Sequence, residues 1–363
     1  MQQLTASEVE MCKQAVARSS SRLEQSSHPS PQKHAALKKE VRIASKAPRL
    51  GGIIAVGTAV TSKGTRMSDV TQSPFFTILL PSFLETFSPN TISHDGSSRF
   101  RYRFYVGCDA GDKLYDSEAA RKKFSELFVR RVGHHRTNGF DDGVSKDDSE
   151  DLIGLRLMSL EGTSGAPSWA VAALMKRAYD DGADWLFQLN DDARLLTLGW
   201  ELRLTGALAS NQVTRLLGVT GPTDLTNPRI FTHVFVHRTH LEIHGSFFPP
   251  AFRNYYSDDW ISAVYGTSST FRLPDVKMKH ETKKQKTGKI ERYKPDMSAR
   301  KALGKQVEDG TKRVLRWLRV RGQDPLRFPL DSVCGFVPLA GYSYVISRSS
   351  NESLPSENDG GVR

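Results

Sequence analysis

The sequence predicts an α/β domain with a mostly parallel sheet flanked by helices, carried between polar tails. Strand-like and helix-like runs alternate along the middle of the chain, the pattern left by strands joined through helical crossovers. One of those runs, Gly52 to Gly57, is short, continuously apolar and bounded by glycines, which suits a buried strand. The chain has 363 residues, 38% hydrophobic and 25% charged. That is enough for one large α/β domain with tails, or for two units, and it excludes collagenous and wholly disordered chains.

The most apolar run is Phe75 to Phe87, but Thr77, Pro81 and Glu85 interrupt it, so a core helix or helix pair is expected there. Phe100 to Gly107 is aromatic and closes on a turn signal, giving a second strand. Asp116 to Val132 carries Ala119, Phe124, Leu127 and Phe128 at helical spacing, and a polar loop leads from it to a third strand over Leu152 to Leu160. Pro167 stands near a helix start, and Trp169, Ala172, Leu174, Ala178 and Tyr179 carry that helix to Asp181-Gly182. A fourth strand, Asp184 to Leu189, runs straight into Asn190-Asp191-Asp192. Further on, Gly218 to Asp224 is a strand end opening into a Gly-Pro turn, and Phe271 to Lys279 is a late strand ending in His280. There is no internal repeat.

The net charge of +11 is concentrated. Val276 to Arg321 holds sixteen basic and five acidic residues, an excess equal to that of the whole chain. Met1 to Leu50 holds nine basic and four acidic residues among many serines and reads as a tail or linker. The expected division is therefore a basic tail over 1–49, a domain over 50–321 that includes the basic segment 276–321, and an extension over 322–363 with no assigned role. Cys12, Cys108 and Cys334 are odd in number and far apart, which suits reduced thiols or one optional bridge and leaves the compartment open. No stretch reaches the roughly 18 apolar residues of a membrane span, and the first fifty residues lack the apolar centre of a secretory signal. As written the chain reads as soluble and cytoplasmic, or as a secretory-pathway protein if its N-terminus is incomplete.

Two carboxylate clusters carry the chemistry. Asp191 and Asp192 close an apolar strand, where their repulsion is costly unless a cation, an arginine or water offsets it. The carboxyl ends of strands are where open α/β sheets bind ligands. A divalent ion, Mn²⁺ or Mg²⁺, takes such oxygen donors together with substrate phosphates. The alternative is a solvated turn in which Asn190 or Asp192 caps the next segment and Arg194 neutralises the pair. Asp258 and Asp259 form the second cluster, at the start of a helix carrying Trp260, Ile261 and Val264, where first-turn acids are also structurally favourable. His237, His240 and His244 fall at i, i+3 and i+7; on a helix they would share one face, and a zinc trio is one reading of them.

The run Asp184 to Trp200 (DWLFQLNDDARLLTLGW), preceded by the Trp169 helix, resembles the metal-site region of GT-A-fold nucleotide-diphospho-sugar glycosyltransferases. Strand, acidic motif and downstream Gly-Trp come in the same order, with Asn190 at the first acidic position. Tyr105 to Asp116 (YVGCDAGDKLYD), Gly218 to Asp224 (GVTGPTD), Phe252 to Gly266 (FRNYYSDDWISAVYG) and the strand ending in His280 extend the resemblance over roughly Leu50 to Arg321. It implies a GT-A-like, Rossmann-type sheet and a metal held by Asp192, Asn190 and His280. It further implies nucleotide contacts from Asp109, Asp112, Asp191 and Arg238, and a general base at Asp259 or Asp258. A carboxylate suits ribose hydroxyls or a base N–H as an acceptor, while an Asp-Gly turn is an equal reading of Asp109 to Gly111.

The function this implies is a metal-dependent, inverting glycosyltransferase. It would move a sugar from a nucleotide-diphosphate donor, a UDP-sugar first, to a hydroxyl on a glycan, protein or lipid. Lysines and arginines of Lys277 to Lys294 would fold over the phosphates as a lid, or form a solvated surface. A second class is a binding protein, either an inactive GT-A-like domain or a basic module using Lys312 to Val320 as an amphipathic helix. No zinc finger, RNP-like aromatic pattern or helix-turn-helix supports nucleic acid as its partner. A third is a nucleotidyltransferase, which would use the same carboxylates but direct attack to phosphorus.

Overall fold

The computed structural model describes residues 51–88, 100–137, 152–281 and 294–323. Both expected tails, Cys12, Cys334 and most of the proposed lid lie outside them. Eight strands form one sheet: β1 (Gly52–Val60), β2 (Phe100–Asp109), β3 (Ile153–Leu160), β4 (Trp185–Gln188), β5 (Ala193–Leu195), β6 (Val219–Asp224), β7 (Val234–His237) and β8 (Thr270–His280). Their order across it is β3-β2-β1-β4-β7-β6-β8-β5. The helices are α1 (Leu80–Thr86), α2 (Glu118–Thr137), α3 (Pro167–Asp180), α4 (Trp200–Ala209), α5 (Thr239–His244), α6 (Ser257–Ala263) and α7 (Arg300–Val320).

The sheet is mixed. β3, β2, β1 and β4 are parallel neighbours, but β7 is antiparallel to both β4 and β6, and β5 is antiparallel to β8. The parallel pairs are those of the first four strands and β6 with β8, so the sheet is mixed where a mostly parallel one was expected. The link from β6 to β7 contains no helix and is too short for a crossover, so the chain returns beside itself in the opposite sense.

Alternation along the strands divides the core in two. Ile54 and Val56 of β1 face Phe75, Phe83, Phe104, Phe128 and Trp200, beneath α1, α2 and α4. Ala55, between them, joins Leu174, Leu186, Val234, Trp260 and Val314, beneath α3, α6 and α7. Both faces are thus covered, which is why β1 reads as a continuous apolar run. Gly57 lets α3 come close: a Cβ there would stand 2.6 Å from the Met175 methyl. The interrupted run around Pro81 is a wide helical turn over Phe75–Leu79 followed by α1, with Pro81 in the first turn of α1, where its missing N–H is tolerated.

Candidate functional site

From their pairing, six strands run one way and β7 and β5 run the other. One edge of the sheet therefore collects Asp109 from the end of β2, Asn190 to Asp192 after β4, Asp224 from the end of β6 and His280 from the end of β8. His233, just before β7, joins them because β7 starts where its neighbours finish. A cleft of about 840 Å³ opens there, walled by Thr61 to Met67 after β1, by Cys108 and Asp109, by Gly165 to Pro167 at the start of α3, and by Asn190, Asp191, Asp192 and His280.

His280 lies at the centre of this edge. Its Nδ1 is 3.1 Å from Asp224 Oδ2, and its Nε2 is 3.4 Å from Asp192 Oδ1 and 2.9 Å from the Asn190 amide. Gln188 donates in turn to the Asn190 oxygen at 3.1 Å. Burial opposes a charge on His280, but the hydrogen bonds and negative charges of Asp192 and Asp224 win and push its pKa up to about 10. Burial would raise the Asp224 carboxyl; hydrogen bonds from His280, Thr226 and Thr232 instead hold it far below the usual carboxylate range.

Asp224, His233 and His280 present ligand atoms within 4.8 Å of one another. His233 is fully buried, and its Nε2 has no hydrogen-bond partner among the described residues. Burial drives its pKa down to about 3, so it is a neutral imidazole. One carboxylate and two imidazoles, His233 with an unshared lone pair and His280 once a bound cation displaces its proton, are a chemically suitable donor set for a divalent ion.

The predicted residues fall into three groups. Asp109, Asn190, Asp191, Asp192 and His280 all wall the cleft, with Asp191 and Asp192 only 1% and 4% exposed. Asp109 Oδ1 accepts from the Thr163 hydroxyl at 2.8 Å. Asp258 and Asp259 open α6, which the Ser257 hydroxyl ties to Ser168 of α3 at 3.0 Å; both are half-buried and neither is among the residues walling the cleft. Burial pushes the Asp258 pKa up to about 7, the Asp259 charge adds to that, and the charge of His280 draws it back. Burial raises Asp259 as well.

Asp112 and Arg238 are not brought to the cleft. Asp112 accepts from the amides of Ser62, Leu114 and Tyr115, so its carboxylate is spent on fastening a loop. Arg238 follows His237, which pairs with Trp185 at the opposite end of β4; its guanidinium lies 4.7 Å from the Tyr179 ring centroid. The three helix-spaced histidines do not assemble either. His237 ends a strand, while His240 and His244 stack in the core at 4.8 Å, with His240 bonded to Tyr265 and to the Phe247 carbonyl. Arg194 pairs with Glu281 at 3.0 Å.

Asp224, His233 and Thr232 escaped the sequence reading. Asp224 was visible as the end of a strand and His233 as the start of HVFV. Their meeting, however, depends on an antiparallel return whose register a single sequence does not display. Compared with models of protein families and with curated proteins, the chain matches none.

Proposed function

We propose that the protein is a metal-dependent transferase of the GT-A kind, taking a nucleotide-diphosphate sugar, a UDP-sugar first, and passing the sugar to an acceptor hydroxyl. One observation carries this reading: the metal-suited residues Asp192 and His280 and the nucleoside-suited Asp109 wall a single cleft at one sheet edge. The strand-end carboxylates favour a cation there, and a cation offsets the charge that builds on a diphosphate leaving group.

The chain's own residues divide the remaining work. Asp192 and His280 would hold the ion, with Asn190 fixing the imidazole from the cleft side. Asp109, anchored by Thr163, accepts from ribose hydroxyls. Asp258 or Asp259 takes the acceptor proton as the anomeric carbon is attacked from the face opposite the diphosphate. Asp258 is the better base of the two, because a pKa near 7 matches neutral working conditions. The nucleic-acid alternative is weakened at α7, where Lys305 and Lys312, and Arg321 just after it, are paired with Asp309, Glu308 and Glu242.

Calorimetric titration of UDP, GDP and a mononucleotide control, with and without divalent metal, tests the reading on the parent and on Asp192→Ala. Diphosphate binding that needs metal and disappears in the variant is expected. Absence of diphosphate binding by the parent, or binding indifferent to the substitution, would sink the proposal. Product analysis then separates sugar transfer from nucleotidyl transfer.

A further inference from the structure

We infer that Asp224, His233 and His280 form a site for a divalent ion of the later transition series, such as Fe²⁺, Co²⁺ or Zn²⁺, with Thr232 positioning His233. This deepens the proposed function by assigning the ion's class, and it moves the ion from the Asp192 side of the His280 ring to the Asp224 side, with Asp192 left on the opposite nitrogen facing the cleft; it rests on that reading only for the ion's purpose. Asp224 and His233 bound the β6–β7 connection and His280 ends β8, and their ligand atoms lie within 4.8 Å of one another. Asp224 and His233 lie beneath the cleft wall at 1% and 0% exposure, and His280 belongs to both wall and site.

The hydrogen bonds fix which nitrogen of His233 is available. The Thr232 hydroxyl is 3.0 Å from Asp224 Oδ2 and 2.9 Å from His233 Nδ1. A carboxylate only accepts, so the hydroxyl proton goes to Asp224. The hydroxyl oxygen then accepts from Nδ1–H, which leaves the lone pair on Nε2. That is the buried atom with no partner among the described residues. The same hydroxyl therefore sets the tautomer of one ligand and the orientation of another, as outer partners of metal ligands do. Thr226 holds the other Asp224 oxygen through its amide at 2.9 Å and its hydroxyl at 2.8 Å.

Two imidazoles in three protein ligands discriminate between ions. Magnesium demands oxygen donors and sheds its water reluctantly. Imidazole suits iron, cobalt, nickel, copper and zinc, and affinity rises from manganese to copper and falls at zinc, which still binds more tightly than manganese. The sequence motif around Asp192 suggests Mn²⁺ or Mg²⁺; the buried histidines shift the preference to the later ions.

The test uses the full chain, stripped with a chelator and free of nucleotide. Co²⁺ is titrated in and followed by its visible absorption, and Zn²⁺ and Mg²⁺ then compete. One Co²⁺ per chain is expected, displaced by Zn²⁺ but not by about a hundredfold excess of Mg²⁺. His233→Ala is expected to weaken Co²⁺ binding roughly 10–100-fold and Thr232→Val by less, with Thr232→Ser restoring it. Failure of Co²⁺ to bind, or equal competition by Mg²⁺, overturns the assignment on the parent protein alone, even if His233→Ala does not fold. Metal-selective binding without any UDP binding would instead sink the transferase reading and leave this site standing. UDP binding without that selectivity would do the reverse.

Discussion

Glu201 is a carboxylate held in an apolar interior. It is fully buried in α4; the Ser88 amide donates to its Oε1 at 2.6 Å and the Tyr102 hydroxyl at 3.3 Å. Its Oε2 has no partner among the described residues. Burial raises the carboxyl from 4.5 to about 7, more than those hydrogen bonds lower it. Between these two values the folded state keeps a proton that the unfolded chain has released, so stability is present below pH 4.5 and is lost as pH rises through 7. The loss is on the order of 3 kcal/mol. Glu201→Gln should therefore leave stability nearly unchanged at pH 4.5 and raise it at pH 8, as measured by urea unfolding. A variant less stable at both would mean that the carboxylate is stabilised in a way this geometry does not contain.

At the scale of elements, α7 shows how packing overrides propensity. It carries two glycines, and alanine is favoured over glycine in a helix interior by about 1 kcal/mol. A Cβ on Gly304 would meet nothing within 4 Å, whereas one on Gly310 would stand 2.5 Å from Val264 Cγ2, against buried α6. Gly304→Ala should stabilise the protein by up to about 1 kcal/mol. Gly310→Ala should destabilise it by about 1–2 kcal/mol, because Val264 is short, buried and unable to swing aside. Thermal melting of the pair checks the sign. The sequence distinguished helix from strand for most of these segments, since α3, α7 and the strands repeat their apolar residues at different periods. It could not distinguish the two glycines, whose difference lies in what packs against them.

For the whole molecule, the balance of buried ionisable groups sets behaviour in acid. His237, His240 and His244 are kept neutral mainly by burial, with pKa values lowered to about 3, to about 4 and well below 6.5. The unfolded chain takes up those protons near pH 6.5, so the stability they provide is present above that pH and is lost as pH falls toward 4. His233 adds a fourth such histidine, while Glu201 and Asp258 act in the opposite sense, so about two protons separate the two states. Net destabilisation of roughly 2–3 kcal/mol per pH unit is thus expected between pH 6 and 5. A urea series across that range that is flat or rising would contradict it. The site was legible to the same depth as the fold. The strand ending in NDD and the strand ending in His280 could be read because each of these candidate residues closes a recognisable element. Asp224 and His233 could not, because they are neighbours only after β7 turns back between β4 and β6.

The irregularity between β6 and β8 governs the site in a way that neither strand reveals by itself. Pro222 pairs with Leu273, but the next residue, Thr223, pairs with Lys277, so three residues of β8 bulge out before the ladder resumes. From the last bulged residue onward, Val276 and Met278 point inward and Lys277 and Lys279 lean outward, which places His280 on the inward side. The bulge acts as a parity setting. Shortened by one residue, it would send a lysine to the position opposite Asp224 and Asp192 and turn the histidine away, leaving a closed internal ion pair at the cleft. The geometry of this edge is thus encoded as much by an odd number of backbone steps as by the identity of the side chain that ends them.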